Sequence, residues 1–335
     1  MGVTDSGVRA AARAAVRAAG TVTAVGAGVL GYALLEATMP VLRRLDVPVL
    51  APGEEPLTLL HLSDLHLMDR TAARVAWVRS LSRLQPDIVV NTGDNLSFAS
   101  GLAPLSDALE PFLQLPGAFV MGDHDYRSTA FSLPTRYLRR DPRDADDPQR
   151  EVEALPWREV RDLQRSGGWV DLTNTRGELR VRGRRVRLVG VDDPHADRDV
   201  YPQPSEVSEA AGPSPSENTW VRGREGHPLH LGLVHAPYRR VLSAMSADDV
   251  DLALAGHTHG GQLCLPGFGA LVTNCDLDRE RVTRRLSQYP GQIGQPQAAD
   301  HMYLHVSAGL GTSPFTPVRL ACRPEATLLT LLPAE

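Results

Sequence analysis

Short apolar runs separated by amphipathic stretches set the rhythm of this chain. Residues 57–62, 88–90, 118–121, 231–234 and 252–255 are predominantly apolar and each is followed by polar residues or glycine, which predicts buried strands. Residues 70–84 and 105–113 read as crossover helices, each followed by a strand, the order of right-handed βαβ units. Residues 181–191 read as β structure broken at Gly183, a hairpin, and residues 238–245 as a third short helix. Late strands are expected at residues 303–306, 318–321 and 326–331. No internal repeat is visible.

Residues 18–35 carry no charge, with Arg9, Arg13 and Arg17 before them and Glu36, Arg43 and Arg44 after. This is the short end of what crosses a bilayer, where about 20 residues are typical, and it is diluted by Gly20, Gly26, Gly28 and Gly31. It is longer than a signal-peptide core and lacks a small-x-small cleavage site near Thr38, so an uncleaved single-helix membrane anchor is the first expectation. A helix packed along the domain or lying on the membrane surface is the alternative. The flanking Arg residues weakly favour placing the rest of the chain outside the cytoplasm. The expected division is residues 1–49 as hydrophobic helix and linker, through a Pro-rich joint at 48–56, and residues 50–335 as one large domain.

The formal charge of −5 argues against a general nucleic-acid binder. Every basic residue other than histidine is Arg, which removes any lysine nucleophile or Schiff base. Cys264, Cys275 and Cys322 lack C-x-x-C spacing, indicating neither a disulfide framework nor a zinc knuckle, and read as buried small residues. Two inserts interrupt the alternation: residues 126–156, dense in Arg and Asp, and residues 194–228, rich in Pro, Ser and Glu. The first could overhang a site and select substrates, or be a solvated excursion. Arg182, Arg184, Arg185 and Arg187 cluster at the hairpin, as a solvated face or a site for phosphate or lipid headgroups.

Chemistry gathers where the buried strands end. Gly256-His257-Thr258-His259-Gly260-Gly261-Gln262 sets two imidazoles two residues apart beside flexible glycines, so they can face different metals. Upstream stand Asp64 and His66 in Leu62-Ser63-Asp64-Leu65-His66, Asp94 in Asn91-Thr92-Gly93-Asp94-Asn95, Asp123, His124 and Asp125 in Gly122-Asp123-His124-Asp125, and His235 in Leu233-Val234-His235-Ala236-Pro237. Strand ends are where α/β folds place their sites. Together these blocks resemble the calcineurin-like metallophosphoesterase family: D-x-H, G-D, G-N-H-D/E, a lone His and G-H-x-H, in that order, over residues 57–331.

The resemblance implies an α/β four-layer sandwich of two mixed β-sheets flanked by helices. It also implies a dinuclear site: Asp64, His66 and His259 around one divalent cation, Asp123, His235 and His257 around the other, and Asp94 bridging both. Such cations lie about 3.5–4 Å apart, and the mixed N and O ligands suit Mn, Fe or Zn better than Ca or Mg. Water activated by the metals would attack phosphorus, with no protein nucleophile. His124 would stabilise the transition state or protonate the leaving oxygen, oriented by Asp125 through a ring N–H contact. His61, His195, His227, His230, His301 and His305 are read as structural, with His195 set apart because it follows another strand end at Gly190-Val191-Asp192-Asp193-Pro194.

One ligand departs from the pattern. Asp123 stands where the family usually has Asn; it keeps the metal-binding oxygen and loses an amide donor. With two divalent cations, Asp64, Asp94 and Asp123 leave a net +1 where Asn would leave +2, which should weaken attraction for dianionic monoesters more than for monoanionic diesters. The Gly256–Gln262 block, with Ser307–Ser313 and Pro317–Glu325, also resembles a bacterial, often membrane-anchored branch, some members of which cleave the pyrophosphate of UDP-linked acylated sugars. The leading expectation is a metal-dependent phosphoesterase acting on a phosphodiester, pyrophosphate or phosphomonoester of a small molecule or lipid-linked substrate. The rivals are a catalytically weakened, metal-holding binding module at the membrane and, more weakly, a metallo-amidase.

Overall fold

The computed structural model describes residues 4–129, 131, 153–203, 228–265, 267–291 and 301–334. Most of both predicted inserts lies outside the described residues. The strands are β1 (Val41–Leu50), β2 (Leu57–Leu62), β3 (Ile88–Asn91), β4 (Gly117–Phe119), β5 (Val170–Asp171), β6 (Thr175–Val181), β7 (Arg184–Gly190), β8 (His230–Val234), β9 (Leu252–Ala255), β10 (Cys264–Leu265), β11 (Gly269–Ala270), β12 (Leu286–Tyr289), β13 (Met302–Val306) and β14 (Glu325–Pro333). The helices are α1 (Thr4–Glu36), α2 (Ala72–Ser80), α3 (Leu102–Leu109), α4 (Asp123–Tyr126), α5 (Trp157–Ser166), α6 (Arg239–Ala247) and α7 (Arg279–Arg284).

Two six-stranded sheets form, in the orders β1-β14-β2-β3-β4-β5 and β12-β13-β9-β8-β7-β6, and β10 pairs with β11 as a separate ribbon. Both large sheets are mixed: β2, β3, β4 and β5 run parallel while β14 is antiparallel to β2, and β7, β8, β9 and β13 run parallel while β6 and β12 are antiparallel to their neighbours. Strands buried on both faces need no polar alternation, which is why β3, β8 and β9 read as near-continuous apolar runs. Leu59, Ile88, Val90 and Ala118 of the first sheet meet Val186, Leu188, Leu231 and Leu252 of the second. Leu60, Val89 and Phe119 face outward onto Val75, Leu105 and Val160 of α2, α3 and α5, and Val189, Val234 and Ala253 onto Val241 and Leu242 of α6. The result is the expected four-layer arrangement of helix, sheet, sheet and helix.

Several expectations are corrected. Residues 41–49, expected as linker, form β1, which pairs parallel with β14 along its whole length. Residues 318–321 form no strand; Leu320 makes only an isolated bridge to Leu263, because this segment is drawn across the sheet ends by the contacts of Arg319 described below. The predicted helices shorten to α2 and α3, each tightening into a 3₁₀ turn, and β4 ends at Phe119 rather than residue 121. The hairpin at Gly183 is as expected, with Arg182 (φ 48°) and Gly183 (φ 80°) both left-handed, the backbone a two-residue hairpin turn requires. Its arginines are partly spoken for: Arg182 pairs with Asp87 at 2.7 Å and Arg185 with Glu178 at 3.6 Å, a solvated charged face.

Candidate metal centre

Five strands deliver the site, all at their carboxyl ends: β2 to Asp64 and His66, β3 to Asp94, β4 to Asp123 and His124, β8 to His235, and β9 to His257 and His259. The chain must turn sharply there to aim polar side chains back over the sheets. Asp64, His66, Asp94, His257 and His259 accordingly have φ between 43° and 65°, a left-handed conformation that costs a non-glycine residue of order 1–3 kcal/mol. Main-chain hydrogen bonds across strand ends hold that strain: Asp64 N–H to Gly93 O (2.9 Å), His66 N–H to Asp94 O (3.0 Å) and Gly256 N–H to His235 O (2.9 Å). Gly256 permits the closest approach, since a Cβ there would collide with Ser63 Oγ and lie 2.5 Å from Asp64 Oδ2.

Asp64, His66 and His259 form one potential ligand group and Asp64, Asp94 and His235 a second, each with ligand atoms within 4.8 Å of one another. Asp94 Oδ1 accepts the His124 N–H at 2.9 Å, leaving Oδ2 at 3.3 Å from His235 Nε2 and 3.7 Å from His66 Nε2. Asp64 Oδ1 lies 3.7 Å from His259 Nε2. His235 Nδ1 donates to the Thr92 carbonyl at 2.7 Å, which orients the ring and directs Nε2 at the Asp94 carboxylate. The Nε2 atoms of His66 and His235 are buried without hydrogen-bond partners, which suits imidazoles waiting on a cation.

His257 and Asp123 stand outside these two groups. The His257 ring is 5.2 Å from that of His235, and its Nε2 donates to Asn274 O at 3.0 Å, so any ligation runs through Nδ1. Asp123 turns outward: its Oδ1 accepts from Arg127 Nη2 at 2.6 Å and Nε at 3.0 Å. His124 borders the site, its ring 5.3 Å from His66 and edge-on. The expected contact between Asp125 and the His124 ring is absent. Asp125 is fully buried, and its carboxylate accepts instead from the main-chain N–H groups of Asp94 (3.0 Å), Asn95 (2.8 Å) and Gly122 (2.9 Å). It ties the β3 loop to the β4 loop, whereas His124 Nδ1 faces the Arg127 carbonyl at 3.3 Å.

Three groups escaped the sequence reading. Arg319 is wholly buried; its Nη2 donates to the carbonyls of Ala308 and Gly311 at 2.7 Å each and lies 3.2 Å from His259 Nδ1. Asp193 is wholly buried and accepts from Asp123 N–H (3.0 Å) and His195 N–H (2.9 Å). The neighbouring His195, the one structural histidine set apart, packs its ring 4.4 Å from that of His257 and meets Tyr238 Oη at 3.0 Å. Behind Asp64 runs a buried chain: His305 Nδ1 meets His61 Nδ1 (2.9 Å), His61 Nε2 meets Thr92 Oγ1 (2.9 Å), Thr92 donates to Ser63 Oγ (2.7 Å), and Ser63 to Asp64 Oδ2 (2.5 Å). Only the strand-end block around Asp193 and the 317–325 block that carries Arg319 hinted at either residue in the sequence.

Burial lowers His66 to about 3 and His257 to about 4, keeping both neutral as ligands must be. Burial also pushes Asp193 up to about 7, helped by the charges of Asp94 and Asp123. Asp94 is pushed up by burial, but the imidazoles of His235 and His124 outweigh this and hold it well below the carboxylate range. For His235, burial lowers the pKa while Asp94 and Asp193 more than reverse that, so it lies well above the ordinary histidine value. A cation at His235 Nε2 must then displace a proton. Metal affinity is expected to strengthen, with proton release, as pH rises towards the raised His235 pKa, because protonated His235 competes below it. Calorimetry in buffers of different ionisation enthalpy reads this directly; affinity independent of pH with no proton released would contradict it.

The profile of the calcineurin-like phosphoesterase family matches residues 57–261. A "Transmembrane protein with metallophosphoesterase domain" from Bos taurus is 28% identical over 303 residues, covering 87% of this chain but only 57% of that protein. The "Uncharacterized metallophosphoesterase YkoQ" of Bacillus subtilis is 26% identical, covering 82% of this chain and 84% of its own. The "Phosphodiesterase YaeI" of Escherichia coli is 24% identical, with 83% of each chain covered. With its potential ligand groups at the carboxyl ends of β2, β3, β8 and β9 inside the matched span, the chain belongs to the calcineurin-like phosphoesterase family and is a hydrolase of phosphoester bonds.

Proposed function

We propose that this chain hydrolyses a phosphodiester or pyrophosphate bond using a pair of divalent cations, Mn, Fe or Zn, held by Asp64, His66, Asp94, His235, His257 and His259, with Asp123 at the remaining ligand position. The observation that carries this reading is the pair of buried Nε2 atoms without hydrogen-bond partners, on His66 and His235, both within 3.7 Å of Asp94 Oδ2. When bound, the cations supply Lewis acidity and an activated water. Asp94 lies between the two ligand groups with one oxygen pinned by the His124 amide, which limits its freedom to swing away. His124, beside His66 and partly open to solvent, is placed to meet the leaving oxygen. The Escherichia coli relative's name favours diesters, and the charge of Asp123 works in the same direction.

Arg127 modifies the consequence of Asp123. Its guanidinium, 56% exposed, offsets the added negative charge and provides N–H donors at the rim where the usual amide donor is missing. Expected behaviour of the full chain is metal-dependent release from bis-p-nitrophenyl phosphate exceeding that from p-nitrophenyl phosphate. Asp123→Asn should raise the monoester rate several-fold relative to the diester; an unchanged ratio would refute the charge argument. The outward turn of Asp123 favours one second reading, a weakened metal-holding module. Two bound cations without turnover on either ester or on a pyrophosphate would support that reading.

The helix α1 contains a 25-residue stretch, Ala12–Glu36, long and apolar enough to cross a membrane and only 6% buried within the molecule. We assign it as an uncleaved single-span anchor, consistent with a substrate that is phosphorylated and lipid-linked.

A further inference from the structure

The last turn of α1 is not a free tether. Ala33 and Glu36 are buried, the Ala33 carbonyl accepts the Arg319 N–H at 2.9 Å, and the Glu36 carboxylate accepts the N–H groups of Ala321 (3.0 Å) and Cys322 (2.8 Å). Once this turn is seated, the uncharged stretch left for the bilayer is residues 18–32, which at 1.5 Å per residue spans about 22 Å, so Arg17 and Arg13 must reach along the helix to the far headgroups of a hydrocarbon core of about 30 Å. No slack is left, so the face around residues 319–322 must lie at the headgroups.

That face carries an apolar rim joined to the seat by hydrogen bonds. Leu320 N–H donates to Gln262 O (3.0 Å) and Cys264 N–H to Leu320 O (2.9 Å), which attaches the β10–β11 ribbon, where Leu265, Phe268 and Leu271 are exposed, Phe268 by 59%. Gln262 Nε2 donates to Thr316 O at 2.7 Å and so holds the loop that exposes Phe315. The Phe315 ring lies 6.4 Å from Phe98 and 5.9 Å from exposed Phe131. The rim borders the metal centre: Ser97, preceding Phe98, has its Oγ 3.4 Å from His66 Nδ1, and Arg319 reaches His259. Single exposed apolar residues are ordinary on a protein surface, but a set gathered beside a bilayer-crossing helix and a catalytic mouth marks a contact surface.

We propose that this rim, from the β10–β11 ribbon to Phe315 and Phe131, inserts into the interfacial layer of a lipid bilayer, so that the metal centre opens at the membrane surface onto phosphate esters or anhydrides carried by lipids. This rests on the reading of α1 as an anchor. Aromatic side chains at the headgroup level are the residues such contact favours. The site then receives substrate by lateral diffusion of lipid.

The test uses the full chain in phosphatidylcholine–phosphatidylglycerol vesicles. Phe268→Trp and Phe315→Trp are each compared with the unsubstituted chain in lipid brominated high on the acyl chain, and Val25→Trp in lipid brominated near the bilayer centre. All three positions are exposed and each phenylalanine is replaced by another aromatic ring, so the substitutions cost the core nothing. Loss of the added emission at all three supports the proposal. Quenching of Val25→Trp with none at Phe268→Trp and Phe315→Trp overturns the rim while leaving the anchor. No quenching at any position overturns both.

Discussion

Asp94→Ala should abolish phosphoester hydrolysis and strip the chain of at least one cation. Asp94 Oδ2 lies 3.3 Å from His235 Nε2 and 3.7 Å from His66 Nε2, and Oδ1 holds the His124 amide, so one substitution removes both the carboxylate proposed as a shared ligand and the anchor of the loop that carries His124. Loss of an outer residue that merely orients a ligand costs roughly 10–100-fold in affinity or activity. Removal of a carboxylate whose Oδ2 lies within 3.7 Å of a histidine of each group should exceed that range. Metal content by mass spectrometry, read beside turnover on bis-p-nitrophenyl phosphate, decides the matter: full metal occupancy in Asp94→Ala would show that Asp64, the one carboxylate that belongs to both potential ligand groups, is the shared one instead.

Thermal unfolding should expose Asp125 as a structural residue of the site. Asp125→Ala leaves the buried N–H groups of Asp94, Asn95 and Gly122 without their acceptor, at about 1–3 kcal/mol each. The expected loss is several kcal/mol, or roughly 10 °C in Tm for a domain of this size. Asp125→Asn, which keeps one carbonyl oxygen, should fall between. If Asp125 acted by orienting the His124 ring, the alanine variant would instead lose turnover with Tm unchanged. Circular dichroism melts of the metal-free proteins separate these outcomes, because metal stabilisation is then removed from the comparison.

The difference between the expected and observed roles of Asp125 shows how far a local pattern carries. Adjacent positions in Gly122-Asp123-His124-Asp125 suggested a side-chain pair, but α4 begins at Asp123 and sends Asp125 inward to main-chain donors about thirty residues away in sequence. The same helix lets Asp123 pair with Arg127 one turn later instead of closing on the ligand groups. Asp193 was legible only as a member of a strand-end block, and Arg319 only as a member of the 317–325 block that carries the resemblance to the bacterial branch. Their roles depend on what the folded chain brings to them, such as the carbonyls of Ala308 and Gly311 or the amide of Asp123.

The sequence by itself determined the buried strands at the site, the order of the crossover helices, the strand-end polar residues and the family. Those features are local: an apolar run defines a strand, and the polar residue after it necessarily sits at that strand's end. Tertiary structure alone decided that residues 41–49 enter the first sheet, that Asp125 clamps loops, that Asp123 faces Arg127, and that the end of α1 is seated on residues 319–322. Each of these is a choice among hydrogen-bond partners, several of them hundreds of residues apart, as with Glu36 and Cys322. Spacing carries no record of such partners, because burial requires only that each polar group be satisfied, and packing selects the group that satisfies it.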